Sequence, residues 1–236
     1  MRDENLARIT NHTIGIKSPV YLVYKYLQQD LKQAIEDHAK GDVFDIGCGN
    51  KPYESLFRNK GKYTGCDIVQ SSENKVDIIC TVDNIPLDAN QFDTVISTQV
   101  LEHVVDHDKM LAEAYRLLKW GGKIILTAPM VWEHHEVPHD FFRFTRFGLI
   151  HIFEKAGFRI IQVKANGGKW ALIGQMLQNV IVSSTSSKKN IFRKFLKIVH
   201  KYIFKYIINI AFAGLEKIDK DVDFITLNFL VVAEKT

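Results

Sequence analysis

Apolar positions recur at helical spacing from about Val20 to Lys40, with Tyr21, Tyr24, Leu27, Leu31 and Ile35 on one face and Gly41 as the stop. Short apolar runs follow near residues 42–46, 62–67, 76–80 and 92–97, separated by loop or helical stretches. This alternation predicts βαβ units and a mostly parallel sheet, an α/β fold. Residues 106–119 read as an amphipathic helix, with Asp106 or Asp108 near its start and Met110, Leu111, Ala114, Leu117 and Leu118 on one side. Gly121-Gly122 should end it, and Lys123–Thr127 reads as a fifth strand stopped by Pro129. Another helix is predicted over 145–156, ending at Gly157, then a strand Phe158–Lys164 and a last strand Phe224–Ala233. The roughly sixty residues between those two strands are too many for a structureless connection, so they should hold helices of their own. The Ser183–Ser187 tract divides this insertion.

The chemistry begins at Val43-Phe44-Asp45-Ile46-Gly47-Cys48-Gly49, a buried strand carrying an acid and then two glycines one residue apart. Such a turn lets backbone N–H groups approach a ligand closely. Asp67 stands 22 residues after Asp45, at the end of the next apolar run. That is about the spacing at which a carboxylate meets a nucleoside ribose. A dinucleotide fingerprint would need a third glycine where Pro52 stands, and proline has no N–H for a pyrophosphate. No G-K-[ST] follows the turn, so a P-loop is excluded as well. A nucleoside without phosphates to cradle remains, with S-adenosylmethionine as the leading candidate.

Composition places the chain among soluble globular proteins: 236 residues, 46% hydrophobic and 25% charged. Cys48, Cys66 and Cys80 form no C-x-x-C pair and lie near predicted strand ends. They read as reduced thiols, neither disulfides nor zinc ligands, and no metal site is expected. With a polar N-terminus lacking the apolar core of a signal peptide, this predicts a cytoplasmic protein. The net charge of +4 conceals an asymmetry, because the seven Lys/Arg between Trp170 and Leu215 meet no Asp or Glu there.

Several further motifs appear in order: Asp83-Asn84-Ile85-Pro86, Phe92-Asp93, Gln99-Val100-Leu101-Glu102-His103 and Leu117-Leu118-Lys119-Trp120-Gly121-Gly122-Lys123. With the glycine turn and Asp67, they make the chain resemble the class I S-adenosylmethionine-dependent methyltransferases. The closest likeness is to the bacterial group typified by small-molecule and surface-glycan enzymes. The resemblance runs from about Asp42 to Lys164 and resumes at the last strand. It implies a Rossmann-like seven-stranded sheet, mostly parallel with an antiparallel last strand, and a helical insertion between the last two strands. The domain reading is a helical cap over 1–41, a core over 42–167 and 223–236, and a basic amphipathic insertion over 168–222.

The resemblance also implies roles. Gly47 and Gly49, with Cys48 between them, would lie under the methionine and ribose parts of the cofactor. Asp45 would help bind its amino group, and Asp67, followed by Ile68, would hold the ribose hydroxyls. Asp83 would contact the adenine amino group, Asn84 and Ile85 would flank the ring, and Gln99 would open the loop nearest the methyl group. Lys51-Pro52 departs from the glycine many members carry there. Each feature also has an ordinary reading: Asp67 as a turn cap, Asp83 before Pro86 as turn chemistry, and Glu102-His103 as a helix start.

The densest polar cluster, Trp132 to Asp140, follows the fifth strand, where open α/β sheets bind ligands. His135-Glu136-Val137-Pro138-His139 formally matches the H-E-x-x-H metalloprotease pattern, but Pro138 would break the helix that pattern requires. Glu136 to Thr145 match the E-x-P-H-D-F-F-R-[FY]-T pattern of the methyltransferase subgroup. Methyl transfer to a hydroxyl needs alignment, exclusion of water and a base. The expectation is His139 as the base or acceptor-orienting group and His135 second. Asp140 would fix the imidazole and Arg143 would bind an acidic part of the acceptor. Alternatively, Asp140 and Arg143 are a structural pair closing the loop.

Within Asn190–Leu215, Lys194, Lys197, Lys201 and Lys205 form a stripe, while Phe195, Ile198, Val199, Tyr202, Ile203, Tyr206, Ile207 and Ile210 fill a wide apolar arc. The arc could pack on the domain as a lid, cover a twin subunit in a homodimer, or lie against the inner face of a membrane. No run reaches the ~18 uncharged apolar residues of a spanning helix. Nucleic acid is not expected as a partner, because the apolar content is too high and no RNA-binding motif appears. The leading expectation is therefore methyl transfer to a small-molecule, glycan or lipid-linked acceptor, at oxygen. The rivals are an RNA or protein methyltransferase and a catalytically silent cofactor-binding subunit. The absence of an Asn-Pro-Pro-Tyr motif after the fourth strand, where Ser97-Thr98-Gln99-Val100 stands, lowers the first of these.

Overall fold

A computed structural model describes residues 14–184, 198–219 and 224–236 of the chain. Seven strands form one sheet: β1 Val43–Ile46, β2 Tyr63–Asp67, β3 Ile78–Ile79, β4 Phe92–Thr98, β5 Leu118–Pro129, β6 Phe158–Asn166 and β7 Asn228–Lys235. Their spatial order is β3-β2-β1-β4-β5-β7-β6. The first five run parallel, and β7 lies antiparallel between β5 and β6. This is the sheet expected from the resemblance.

Period-two alternation explains why both faces are covered. Phe44, Ile46, Val95, Ile124 and Leu126 point to one side, where α2 (His107–Leu117) and α3 (Arg146–Lys155) add Met110, Leu111, Leu149 and Phe153. Val43, Ile96, Ile125, Leu230 and Val232 point to the other, where α1 (Tyr21–His38) supplies Leu27, Leu31 and Ile35. Each such side chain, fully buried, contributes about 1.5–3 kcal/mol. The Asp106 carboxylate accepts from the Lys109 amide at 3.1 Å and caps α2, while the Thr145 hydroxyl accepts from the Gly148 amide and caps α3.

Three boundaries differ from expectation. β5 starts at Leu118, absorbing Gly121-Gly122 into a strand irregularity opposite Asp93 rather than into a helix stop. β6 extends to Asn166, and β7 begins at Asn228 rather than Phe224.

The insertion contains α4 (Lys169–Ser184) and, after a π-helical turn at His200–Phe204, α5 (Lys205–Ile218). Of the three alternatives for the apolar arc, packing on the domain as a lid does not hold at its described positions. Ile203, Tyr206, Ile207 and Ile210 are exposed, whereas Ile208, Asn209, Ala213 and Glu216 face inward. The cause is a buried polar seam. Gln178 of α4 donates to the Asn209 side-chain oxygen at 3.0 Å and accepts from His200. The Asn209 amide nitrogen reaches the carbonyls of Ile16 and Ser18, and the Glu216 carboxylate accepts from the Gly168 and Ala171 amides at the start of α4. Lys194, Lys197 and Phe195 of the expected helix fall outside the described residues, as do the side chains of Lys201 and Tyr202.

Candidate functional site

A crevice of about 270 Å³ opens at the carboxyl ends of β1, β2 and β4. Its floor is the turn Gly47-Cys48-Gly49, followed by Asn50, and Asp67 stands at one side. Gly47 has φ +76°, and a Cβ there would lie 2.4 Å from the Val100 side chain, so the turn requires glycine. The Asp67 carboxylate accepts from the Gly49 amide at 3.1 Å and from the Ile68 amide at 2.7 Å, which fixes its plane at the crevice. Asp45, expected to meet the cofactor's amino group, instead lies beneath the turn, fully buried and outside the crevice lining, and receives the Tyr63 hydroxyl at 2.6 Å. Burial lifts its carboxyl to about 7 against the ordinary carboxylate value. Cys48 is buried, and desolvation raises its thiol well above the usual range, so it is inert.

The rest of the expected cofactor set divides. Gln99, at φ +55°, closes β4, lines the crevice and donates to the Thr127 hydroxyl at 3.2 Å. Ile68 is exposed beside Asp67. Asp83 and Asn84 are exposed and do not line the crevice, while Ile85 is buried in the core with its amide bonded to Glu113. A nucleoside reaching the residues after β3 would have to extend beyond the crevice mouth.

The acceptor side is built from α1 (Tyr24, Leu27), the loop after β4 (Glu102, His103), the loop after β5 (Trp132, His135, Glu136) and Asn228 at the start of β7. Residues 135–139 form no helix, consistent with Pro138 in that stretch. His135 lines the crevice, but His139 does not; its backbone carbonyl instead accepts from His103 Nδ1 at 2.6 Å. Asp140 serves His135 rather than His139, accepting from the His135 amide at 3.1 Å and lying 3.5 Å from its Nδ1.

Arg143 is a loop clasp. It donates to both Asp140 oxygens at 2.7 and 2.9 Å and to the carbonyls of Trp132, Glu133 and Phe142. These bonds use its whole donor fork, so the expectation that it binds an acidic part of the acceptor is corrected. The bidentate Arg143 hydrogen bonds hold the Asp140 carboxyl far below its ordinary value.

Glu102, read from sequence as helix-start chemistry, is fully buried, and burial pushes its carboxyl up to about 8. Neither oxygen has a hydrogen-bond partner from elsewhere among the described residues. His103 Nε2 lies 3.9 Å from Glu102 Oε1, and the His103 and His135 rings meet edge-on with centroids 4.6 Å apart. Asn228 Nδ2 is likewise buried without a hydrogen-bond partner among the described residues. The motif Leu-Glu-His was visible in the sequence, but its convergence with His135 was not. Among the described residues, no Lys or Arg lines the crevice and no helix is long and apolar enough to cross a membrane.

Comparison with known proteins agrees with this geometry. Residues 44–126 match the family described as a methyltransferase domain. Over 96 residues the chain is 33% identical to the tRNA (carboxymethyluridine(34)-5-O)-methyltransferase alkbh8 of Xenopus tropicalis, covering 36% of this chain and 15% of that protein. Over 126 residues it is 27% identical to the ubiquinone biosynthesis O-methyltransferase of Coxiella burnetii, covering 48% of this chain and 53% of that one. The chain thus spans about half, or far less, of the length of these curated relatives. Among solved structures, the [4+2]-cyclase SpnF superposes with TM-score 0.56 at 16% identity, covering 88% of this chain and 80% of its own. Phosphoethanolamine N-methyltransferase 2 of Haemonchus contortus, in complex with S-adenosyl-L-methionine, gives 0.50 at 16% identity, covering 94% and 56%. These likenesses show the fold.

Proposed function

We propose, from the premise that this chain carries a class I S-adenosylmethionine-dependent methyltransferase domain, that it methylates a hydroxyl on an uncharged, partly apolar acceptor, a small molecule or a lipid-linked glycan. The observation that carries this reading is a single crevice joining the glycine turn and Asp67 to the cluster Glu102, His103 and His135. The residues fit the cofactor. A buried carboxylate pinned beside a glycine turn suits a ribose diol. Bound there, S-adenosylmethionine supplies an electrophilic methyl group on a sulfonium centre.

The chain then has three tasks. The glycine turn and Asp67 orient the nucleoside end. Trp132, Tyr24 and Leu27 exclude water and give the acceptor an apolar wall. The polar cluster activates the acceptor oxygen, with His135 displacing His139 as the first side chain to face it. The engaged Arg143 and the absence of Lys or Arg among the described crevice residues argue against a polyanionic acceptor. Apolar positions exposed on α5 favour an acceptor met at a lipid surface.

Calorimetry with S-adenosylmethionine tests the foundation. The parent should bind one equivalent, and Asp67→Ala should weaken binding by roughly 10-fold or more, the scale of one lost charge-assisted bond pair. Equal affinity of parent and variant would remove the assignment. Product formation with hydroxylated lipids and glycans against RNA then decides the acceptor class.

A further inference from the structure

We propose that Glu102, His103 and His135 form a site for one divalent first-row transition-metal ion beside the methyl-transfer position. One donor atom from each residue lies within 4.8 Å of the other two. Glu102 is fully buried, and neither of its carboxylate oxygens finds a hydrogen-bond partner from elsewhere among the described residues. A carboxylate in that position lacks the compensation burial demands, and a cation would supply it.

The two histidines are set as metal ligands are set. A carbonyl oxygen can only accept, so the contact from His103 Nδ1 to the His139 carbonyl at 2.6 Å places the ring proton on Nδ1. Nε2, which faces Glu102 at 3.9 Å, then carries the lone pair. His135 repeats the arrangement, with Nδ1 3.2 Å from the Glu133 carbonyl. Carbonyls that fix the tautomer and leave the other ring nitrogen able to ligate are the usual outer support of ligating imidazoles. The loop itself is held by the Arg143 clasp, so the support extends one layer further.

Two imidazoles and one carboxylate suit zinc, cobalt, iron or manganese better than calcium or magnesium. Ligand bonds near 2.1 Å would draw the three donors somewhat closer than they now stand. Three protein ligands leave a coordination position open, and the crevice lies in front of it. The acceptor hydroxyl would coordinate there and release its proton to solvent, leaving an oxygen lone pair to form the new O–C bond as the C–S bond breaks toward sulfur. This last role rests on the methyltransferase reading; the ion site does not.

The test uses the full chain, stripped with chelator and titrated with Co²⁺ while its visible absorption is followed, then with Zn²⁺ by calorimetry. One ion per chain is expected, with His103→Ala and His135→Ala each weakening it roughly 100-fold and His151→Ala, at an exposed position on α3, changing nothing. His103 is buried and its variant could fail to fold, which circular dichroism would reveal; the half-exposed His135 keeps the test decisive. Absence of stoichiometric binding, or unchanged affinity in a folded His135→Ala, overturns the site. S-adenosylmethionine binding measured on the same samples separates this failure from failure of the methyltransferase reading.

Discussion

At the scale of single residues, Asp45 gives the protein a pH dependence whose sign can be worked out. Its carboxyl titrates near 7 in the folded, ligand-free chain and near 3.9 when unfolded. Between those values the folded chain holds a proton that the unfolded chain has released, so stability is fully present below about pH 4 and falls as pH rises through 7. Glu102 acts in the same direction. Urea denaturation at pH 5, 6 and 7 should show decreasing stability in the parent and a shallower decrease in Asp45→Asn. Equal slopes in the two proteins would show that the buried acid does not titrate as described. Asp45, Gly47 and Asp67 were legible in the sequence because their arrangement is local: a strand, a turn and the next strand tip. The convergence of Glu102 and His103 with His135 was not, because the carbonyl that orients His103 belongs to His139, 36 residues away.

At the scale of elements, the loop over 131–145 depends on one ion pair. The Asp140 side chain is 3% exposed and Arg143 25%, so removing the cation strands a buried carboxylate. Arg143→Ala should lower stability by about 3 kcal/mol, read as a drop in the thermal midpoint. Arg143→Lys should recover little, since an ammonium cannot span both carboxylate oxygens and the three carbonyls. Full recovery by lysine would mean that charge alone closes the loop.

The same scale shows how far hydrophobic periodicity reaches. It located the strands and the helices α1 to α3, whose inner faces are apolar. It left open which side of α5 faces inward; Asn209, Glu216, Gln178 and His200 satisfy one another and the backbone in the interior, and the apolar arc is left outside. Periodicity reports which face is greasy; buried hydrogen bonds decided which face is inside. The Gly121-Gly122 pair was misread for a related reason, since a strand irregularity and a helix stop both use a positive φ.

At the scale of the whole molecule, charge and greasiness are segregated. The crevice is lined without Lys or Arg among the described residues, while Trp170–Leu215 concentrates seven basic residues. Ile203, Phe204, Tyr206, Ile207 and Ile210 stand exposed in that same region. If this face meets a lipid surface, the full chain should sediment with anionic vesicles in a salt-sensitive manner. The combined Ile207→Asp, Ile210→Asp variant should lose most of that association. No vesicle binding, with a change of sedimentation coefficient in the variant, would point instead to a second copy of the chain.

The position of β7 has a consequence for how the protein is made. It fills the gap between β5 and β6, yet about sixty residues separate it from β6 along the chain. At ribosomal speeds of roughly 5–20 residues per second, two unpaired strand borders await their partner for several seconds. Over that interval the nascent polypeptide offers sticky, unzipped backbone to any neighbour, and a chaperone that shields it would be guarding a slot reserved for Asn228–Lys235.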